Sequence, residues 1–151
     1  MITIKLDDSE IQAGIDRLQE ELGDMTKFME DLGEILVAST KARFAEGKAP
    51  DGTAWAPNSP VTLALKADSR PLCGNSGSLN SQIYALAGAD SVHIASNLDY
   101  AAMMHFGGTK SVYHNLWGDI PARPFLGLSD EDKENILGEI NHWLSGAFYG
   151  D

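Results

Sequence analysis

The chain has 151 residues, of which 43% are hydrophobic, and its 22 acidic against 11 basic side chains give a formal charge of −11. This length and composition predict one globular domain over residues 1–151, or one domain with an appendage, with enough buried surface for a hydrophobic core, and they exclude a disordered chain. The acidic balance argues against general nucleic-acid binding and against docking on an anionic membrane, because both need a surplus of Lys and Arg.

The N-terminal part of the chain predicts a short strand and then a long amphipathic helix. Residues 2–6 alternate apolar and polar side chains, which is typical of a strand with one buried face. Over residues 9–45 apolar residues recur at steps of three and four, and Asp8 or Ser9 can cap this helix. A straight helix of that length would overhang a compact domain. We therefore expect a break at residues 23–24, as a kink rather than a reversal.

The next part of the chain predicts loops around one short helix. A cluster of Gly, Pro and Asp at residues 47–52 indicates a turn, and Trp55 follows in an extended loop. Pro60 begins a short helix that runs to about Ala67. The Ser-, Gly- and Asn-rich residues 69–78 then indicate another loop.

The second half predicts an antiparallel hairpin and further short elements. Residues 81–87 and 91–96 read as two strands joined at a tight turn. A short helical turn at residues 100–106 is followed by a polar, aromatic-bearing loop at residues 109–119. The two prolines within residues 120–128 indicate an edge strand rather than a central one.

The last predicted element is a helix that begins after Ser129, with acidic residues in its first turn. Its apolar face consists of Ile136, Leu137, Ile140, Trp143, Leu144 and Phe148. The acidic charge concentrates at the two ends, since residues 1–36 hold 10 acidic and 3 basic side chains and residues 129–151 hold 6 and 1. We interpret these ends as helices with solvated acidic faces around a nearly neutral middle, and the alternative is a surface that repels DNA or pairs with a basic partner.

The chain has no long apolar segment and a single cysteine. No run approaches the roughly 18 apolar residues of a membrane span. Residues 1–8 lack a basic segment followed by an apolar one, so we expect no secretion signal. Cys73 can form no intrachain disulfide, which fits assembly in a reducing cytoplasm.

No pattern of residues predicts an active site, a metal or a cofactor. None of the four histidines lies in a zinc-binding frame, and one cysteine cannot build a cysteine-based zinc cluster. Residues 73–77 superficially suggest a nucleophile loop, but they lack the required strand–turn–helix context. Phosphate-binding glycine motifs are absent from the sequence. A hydrolase using Cys73 or His105 is therefore only a remote alternative.

Five residues of the nearly neutral middle are candidates for contacts with other subunits or partners. Arg and exposed aromatic residues are enriched in protein interfaces. For the arginine the alternative is an internal ion pair, and for the loop aromatics it is covering of the domain's own core. The candidates are Trp55, Tyr113, Trp117, Arg123 and Phe125.

Three segments of this middle occur in an informative order. They are Arg43-Phe44 leading to the Ala-Pro-Asp-Gly-Thr-Ala-Trp-Ala-Pro string at residues 49–57, then residues 100–108, and then the Ile-Pro-Ala-Arg-Pro-Phe-Leu-Gly-Leu-Ser string at residues 120–129. Together they resemble the phage virion morphogenesis family, the tail completion proteins of Mu-like and related tailed phages. Pro-Ala-Arg-Pro-Phe-Leu-Gly is the most specific string, and Ser76-Gly77-Ser78-Leu79 occupies the place of a further family segment. The resemblance spans nearly the whole chain.

The resemblance implies an α+β fold, in which a long N-terminal helix and a C-terminal helix pack on a small, mainly antiparallel sheet. It also implies a structural, non-enzymatic role in the virion neck or tail, as a tail terminator that caps the tail tube and docks to the head–tail connector. Such proteins act as rings, commonly hexameric, and a ring of about six copies would carry a charge of about −66. DNA would pass through its lumen without specific binding. The alternatives are a head-assembly factor and another neck adaptor.

Overall fold

The computed structural model describes residues 8–59, 71–72, 78–116 and 118–149, and within these ranges the chain has an α+β fold. The elements are α1 (Ser9–Leu22), α2 (Thr26–Glu46), α3 (Ser78–Ser81), β1 (Ile83–Ala87), β2 (Val92–Ser96), α4 (Ala101–Phe106) and α5 (Asp130–Tyr149). The predicted strand at residues 2–6 and the predicted helix at residues 60–67 lie outside the described residues. None of the described helices has the length and apolarity that crossing a bilayer requires.

The long N-terminal helical pattern is broken where the sequence predicts. Asp8 caps α1, because its Oδ1 accepts a hydrogen bond from the backbone N–H of Ile11 at 3.0 Å. Gly23 ends α1 with a φ of 72°, a conformation that glycine adopts without a side-chain penalty. Oδ1 of Asp24 then accepts a hydrogen bond from the N–H of Thr26 at 2.9 Å, at the start of α2. The predicted break at residues 23–24 is confirmed.

The two strands form the predicted antiparallel hairpin. The register runs from the pair Ile83–Ser96 to the pair Ala87–Val92. The N–H of Gly88 donates to the carbonyl of Ser91 at 2.7 Å, which closes the turn. One face of this two-stranded sheet packs against α2.

Gly33 lets α2 approach the hairpin closely. A Cβ at this position would lie 2.9 Å from Cβ of Ala85 and 3.1 Å from Cγ2 of Val92. We expect Gly33→Ala to lower the free energy of unfolding by about 1–3 kcal/mol, because the helix would have to move off the sheet. The matched control is Gly138→Ala in α5, where no heavy atom lies within 4 Å of the added Cβ. It should stabilise the protein by about 0.5–1 kcal/mol through helix propensity.

Urea unfolding of the two glycine variants measures this difference directly. Gly33→Ala should unfold at a lower urea concentration than the wild type, and Gly138→Ala at a higher one. Equal stabilisation by both substitutions would show that α2 and the hairpin are not in close contact.

Two hydrophobic clusters build the core. The helical cluster joins α1, α2 and α5, and Phe28 meets Trp143 there in an edge-to-face contact with 5.9 Å between ring centroids. Val92 of β2 packs against the same cluster, and Lys133 of α5 forms an ion pair with Asp8 at 3.1 Å. The second cluster lies among the hairpin, α3, α4 and the loops, and it contains Phe44, Ala49, Trp55, Leu79, Ile83, Ala101, Phe125 and Leu126.

Residues 120–128 do not form the predicted edge strand. The pairing in this segment is a single bridge between Ile120 and Gly108, as far as the described residues show. Pro121 and Pro124 have no N–H to donate, and the N–H of Arg123 bonds to the carbonyl of Met104 in α4. The segment is extended, but its hydrogen bonds go to a helix and to loops. The prediction of a strand is therefore wrong.

The start of α5 is as predicted. Oγ of Ser129 accepts a hydrogen bond from the N–H of Asp132 at 3.0 Å, and Oδ2 of Asp132 accepts one from the N–H of Ser129 at 3.0 Å. This reciprocal pair is a capping box with Asp in place of the usual Glu or Gln. The predicted apolar face is buried in the helical cluster, except that the side chain of Phe148 lies outside the described part.

Candidate functional site

The three segments that carry the family resemblance converge in the fold. Seven side chains at this place form what we call the motif junction: Arg43, Phe44, Trp55, His105, Arg123, Phe125 and Asp132. All seven are buried. The ring of Phe44 lies 5.7 Å from that of Trp55 and 5.6 Å from that of Phe125, measured between centroids. Nε1 of Trp55 donates to the carbonyl of Pro124 at 2.7 Å. The family-like strings thus hold one another in place.

Arg123 fastens the last segment to the loop after Trp55. Its Nε donates to the carbonyl of Ala56 at 2.8 Å, and one Nη donates to the carbonyl of Pro57 at 2.9 Å. Burial lowers the pKa of the guanidinium from its ordinary value, and Arg123 stays charged at neutral pH because an arginine side chain is not deprotonated in proteins. Among the described residues the hydrogen-bond partners of Arg123 are backbone carbonyls, and an internal ion pair is not observed there.

A buried ion pair joins α2 to the start of α5. The guanidinium of Arg43 contacts the carboxylate of Asp132, and both side chains are almost fully buried. The same guanidinium donates to the carbonyl of Phe125 at 2.9 Å, and Oγ of Ser39 donates to Asp132. Burial lowers the pKa of Arg43, while Asp132 opposes that shift. Each polar group of this network has a partner, as a buried charge requires.

Sequence reasoning missed this ion pair and named Arg43 only as part of the first family-like segment. A signal was nevertheless present. The apolar stripe of the N-terminal helices ends at Leu36, and its next steps of three and four fall on Ser39 and Arg43. Polar residues that continue an apolar stripe point to a buried polar network.

His105 of α4 receives hydrogen bonds from the last segment. Its Nδ1 accepts from the backbone N–H of Phe125 at 3.3 Å and from that of Leu126 at 3.4 Å. Its ring also meets that of Phe125 edge-on, with 5.3 Å between centroids. Only an unprotonated Nδ1 can accept these bonds, so this nitrogen is not available as a general base.

The stability of the protein should fall as the pH drops below about 6.5. Burial lowers the pKa of His105 below its ordinary value of 6.5, so the unfolded chain takes up the proton first. The contribution of neutral His105 is complete above pH 6.5 and is lost as the pH falls toward the pKa of the folded state. The loss is at most about 1.4 kcal/mol for each pH unit in that window.

Melting temperatures at about pH 7.5 and pH 5.5 test this effect. In His105→Gln the drop in melting temperature between the two pH values should shrink, whereas in the control His93→Gln, which changes an exposed histidine of β2, it should remain. An unchanged pH dependence in His105→Gln would contradict the role of His105.

The structure separates the five candidate interface residues. Trp55, Arg123 and Phe125 are buried in the motif junction, where they contact other residues of the same chain. Tyr113 is 49% exposed in the loop that precedes Ile120, outside the motif junction. Trp117 lies outside the described residues. For Tyr113 and Trp117, a contact with a partner stays a prediction.

The described residues contain no group of three or more His, Cys, Asp or Glu side chains that could hold a metal ion. Cys73, the nucleophile of the remote hydrolase alternative, lies outside the described ranges. The motif junction holds loops and helix ends in place through buried hydrogen bonds and one ion pair. This arrangement stabilises the fold.

Comparisons with known proteins agree with the sequence resemblance. The chain is 29% identical to a protein of Escherichia phage Mu named "Putative capsid assembly protein G", and the alignment covers 93% of this chain and 96% of that protein. No solved structure matches the chain significantly. The model of the phage virion morphogenesis family matches residues 6–145, a range that includes the whole motif junction. The chain therefore belongs to the phage virion morphogenesis family.

Proposed function

We propose that the protein is a tail terminator, which closes the growing end of the phage tail tube as a ring and presents a docking face to the head–tail connector. Membership of the family makes it a phage morphogenesis protein with a structural role. The position at the head–tail junction and the ring of about six copies are our inference from the family resemblance.

The observation that carries this proposal is the family match over residues 6–145. It covers both core clusters and all three resembling segments, so it concerns the whole domain rather than one short string. In the described structure the most specific family string also holds the fold together, since Arg123 and Pro124 form hydrogen bonds with Ala56 and Trp55.

Electron microscopy of lysates from phage with an inactivated gene tests the proposal. A tail terminator limits tube growth, so its loss should leave DNA-filled heads beside unjoined tails, many of them longer than in the wild type. A plasmid that supplies the intact gene should restore joined particles of normal tail length. Normal joined particles without the gene would overturn the proposal.

A head-assembly factor is the second candidate, and the name of the phage Mu relative favours it. Such a factor acts before the tail joins and is absent from the finished virion or minor in it. Loss of the gene would then deplete filled heads and leave tail lengths unchanged. Quantitative mass spectrometry of purified virions separates the two, since a terminator predicts about six copies in each particle.

We further propose that the ring is a conduit for DNA and not a DNA-binding protein. The acidic residues concentrate at residues 1–36 and 129–151, which contain α1, the first half of α2 and α5. If these helices line the lumen, their carboxylates repel the phosphates of passing DNA. Strong binding of the purified protein to duplex DNA at moderate salt would contradict this part of the proposal.

A further inference from the structure

The loop at residues 109–116 is held in one shape at its base. Gly108 and Ile120 exchange two backbone hydrogen bonds, of 2.9 Å and 2.7 Å, across the base of the loop. The N–H of Lys110 donates to Oδ1 of Asp119 at 2.9 Å, and Thr109 accepts from the N–H of Tyr113 at 2.9 Å. A loop fixed in this way loses little conformational entropy when it binds.

Two large apolar side chains of this loop are exposed. Val112 is 67% exposed and Tyr113 is 49% exposed, and together we call them the knob. Lys110 lies beside them on the same loop and is also exposed. The knob thus combines an apolar tip with a positive charge, on a protein whose formal charge is −11.

A groove with the complementary character lies between α2 and β1. It has a volume of about 650 Å³, which is within the roughly 300–1,000 Å³ typical of ligand pockets and leaves room for two side chains. Gly33, Val37, Ala38 and Ala85 line it with small or apolar side chains.

The rim of the groove carries two carboxylates and one cation, Lys41 of α2, so its net charge is negative. Glu30 and Glu34 of α2 are exposed there and lie one helical turn apart, so their like charges repel. Neither carboxylate forms a salt bridge with another residue of the described part. A cation from outside the subunit would relieve the repulsion.

We propose that the knob of one subunit seats in the α2–β1 groove of the next subunit, with Lys110 facing Glu30 and Glu34. This deepens the proposed function and rests on it, since it names the contact that builds the ring. The partner that fills the groove is a second copy of this chain, because the chain carries both the knob and a groove whose acidic and apolar lining complements it. Knob and groove are different surfaces of the chain, so the contact is heterologous, and a heterologous contact closes into a ring when the rotation permits.

Val112→Asp tests the apolar part of the contact. Analytical ultracentrifugation, with the protein alone and bound to tail tubes, should show subunit association at least about tenfold weaker than in the wild type. The matched control is Leu86→Asp, which places the same charge at a side chain of β1 that is 51% exposed and does not line the groove. This control should associate as the wild type does. Equal association of the wild type and Val112→Asp would overturn the proposed contact.

A charge exchange tests the pairing itself. Lys110→Glu and Glu34→Lys should each weaken association, and the double variant Lys110→Glu/Glu34→Lys should recover most of it. Lys48→Glu, which changes the net charge equally at an exposed lysine outside the groove, is the control. Failure of the double variant to recover, with both single variants weakened, would overturn the pairing.

The outcomes also distinguish this contact from the function on which it rests. A wild-type protein that stays monomeric both alone and on tail tubes would overturn the ring, and the contact with it. Wild-type rings that persist in Val112→Asp would leave the terminator proposal intact and overturn only the contact. Rings that persist but no longer bind tubes would show that the knob docks on the tube protein.

Discussion

Replacing Asp132 by Ala should lower the free energy of unfolding by about 3–5 kcal/mol, because the variant leaves the charge of Arg43 buried without its partner. The carboxylate of Asp132 contacts the guanidinium of Arg43 and accepts hydrogen bonds from Ser39 and Ser129. Its removal therefore breaks the ion pair between α2 and α5 and one of the two hydrogen bonds of the capping box at once. Urea unfolding followed by circular dichroism measures the loss.

The control for this prediction is Asp130→Ala, an exposed acidic residue in the same first turn of α5. It should cost about 0.3–1 kcal/mol, the value of a charge at a helix end. The double variant Arg43→Met/Asp132→Leu removes both charges and should lose less stability than Asp132→Ala. If Asp132→Ala costs no more than Asp130→Ala, the ion pair does not hold the two helices together.

Replacing Phe125 by Ala should also cost about 3–5 kcal/mol. Its side chain is fully buried and packs against the rings of Phe44 and His105, so truncation leaves a cavity at the centre of the second cluster. The variant should unfold at a lower urea concentration, and its yield as folded protein should fall. Phe125→Leu keeps most of the volume and should cost less.

Phe106→Ala is the matched control for Phe125→Ala. This phenylalanine ends α4 and is 59% exposed, so the same substitution removes little buried surface. We expect a change within about 0.5 kcal/mol. Equal losses for the two variants would contradict the placement of Phe125 at the centre of the motif junction.

The elements that sequence reasoning located are those set by local chemistry. The break between α1 and α2 follows from a glycine that adopts positive φ next to an aspartate that bonds to the following helix. The capping box at Ser129 and the hairpin turn at residues 88–91 depend on neighbours within four positions. Such signals are readable from one sequence, because the partners are near one another in the chain.

The interactions that sequence reasoning missed join residues that are far apart in the chain. Arg43 and Asp132 are 89 positions apart, and Trp55 donates to the carbonyl of a residue 69 positions away. An aromatic residue in a loop looks the same in the sequence whether it faces solvent or the core. Trp55 and Phe125 were therefore predicted as contact residues, although both are buried within their own subunit.

The wrong strand at residues 120–128 has a related cause. Pro121 and Pro124 keep the backbone extended, and this effect can be predicted from the sequence. An extended segment becomes a β-strand only when it pairs with a neighbouring strand, which the sequence of the segment does not reveal. The segment instead bonds to α4 through the N–H of Arg123 and to the loop after Trp55 through its guanidinium. The most specific family string thus holds segments of the same chain together.

Electron microscopy of purified tail tubes, incubated with and without the purified protein, tests the proposed function most directly. A tail terminator should give ring-shaped density at one end of each tube and no further growth at that end when free tube subunits are added. Tubes that bear no density and lengthen equally in both samples would contradict it.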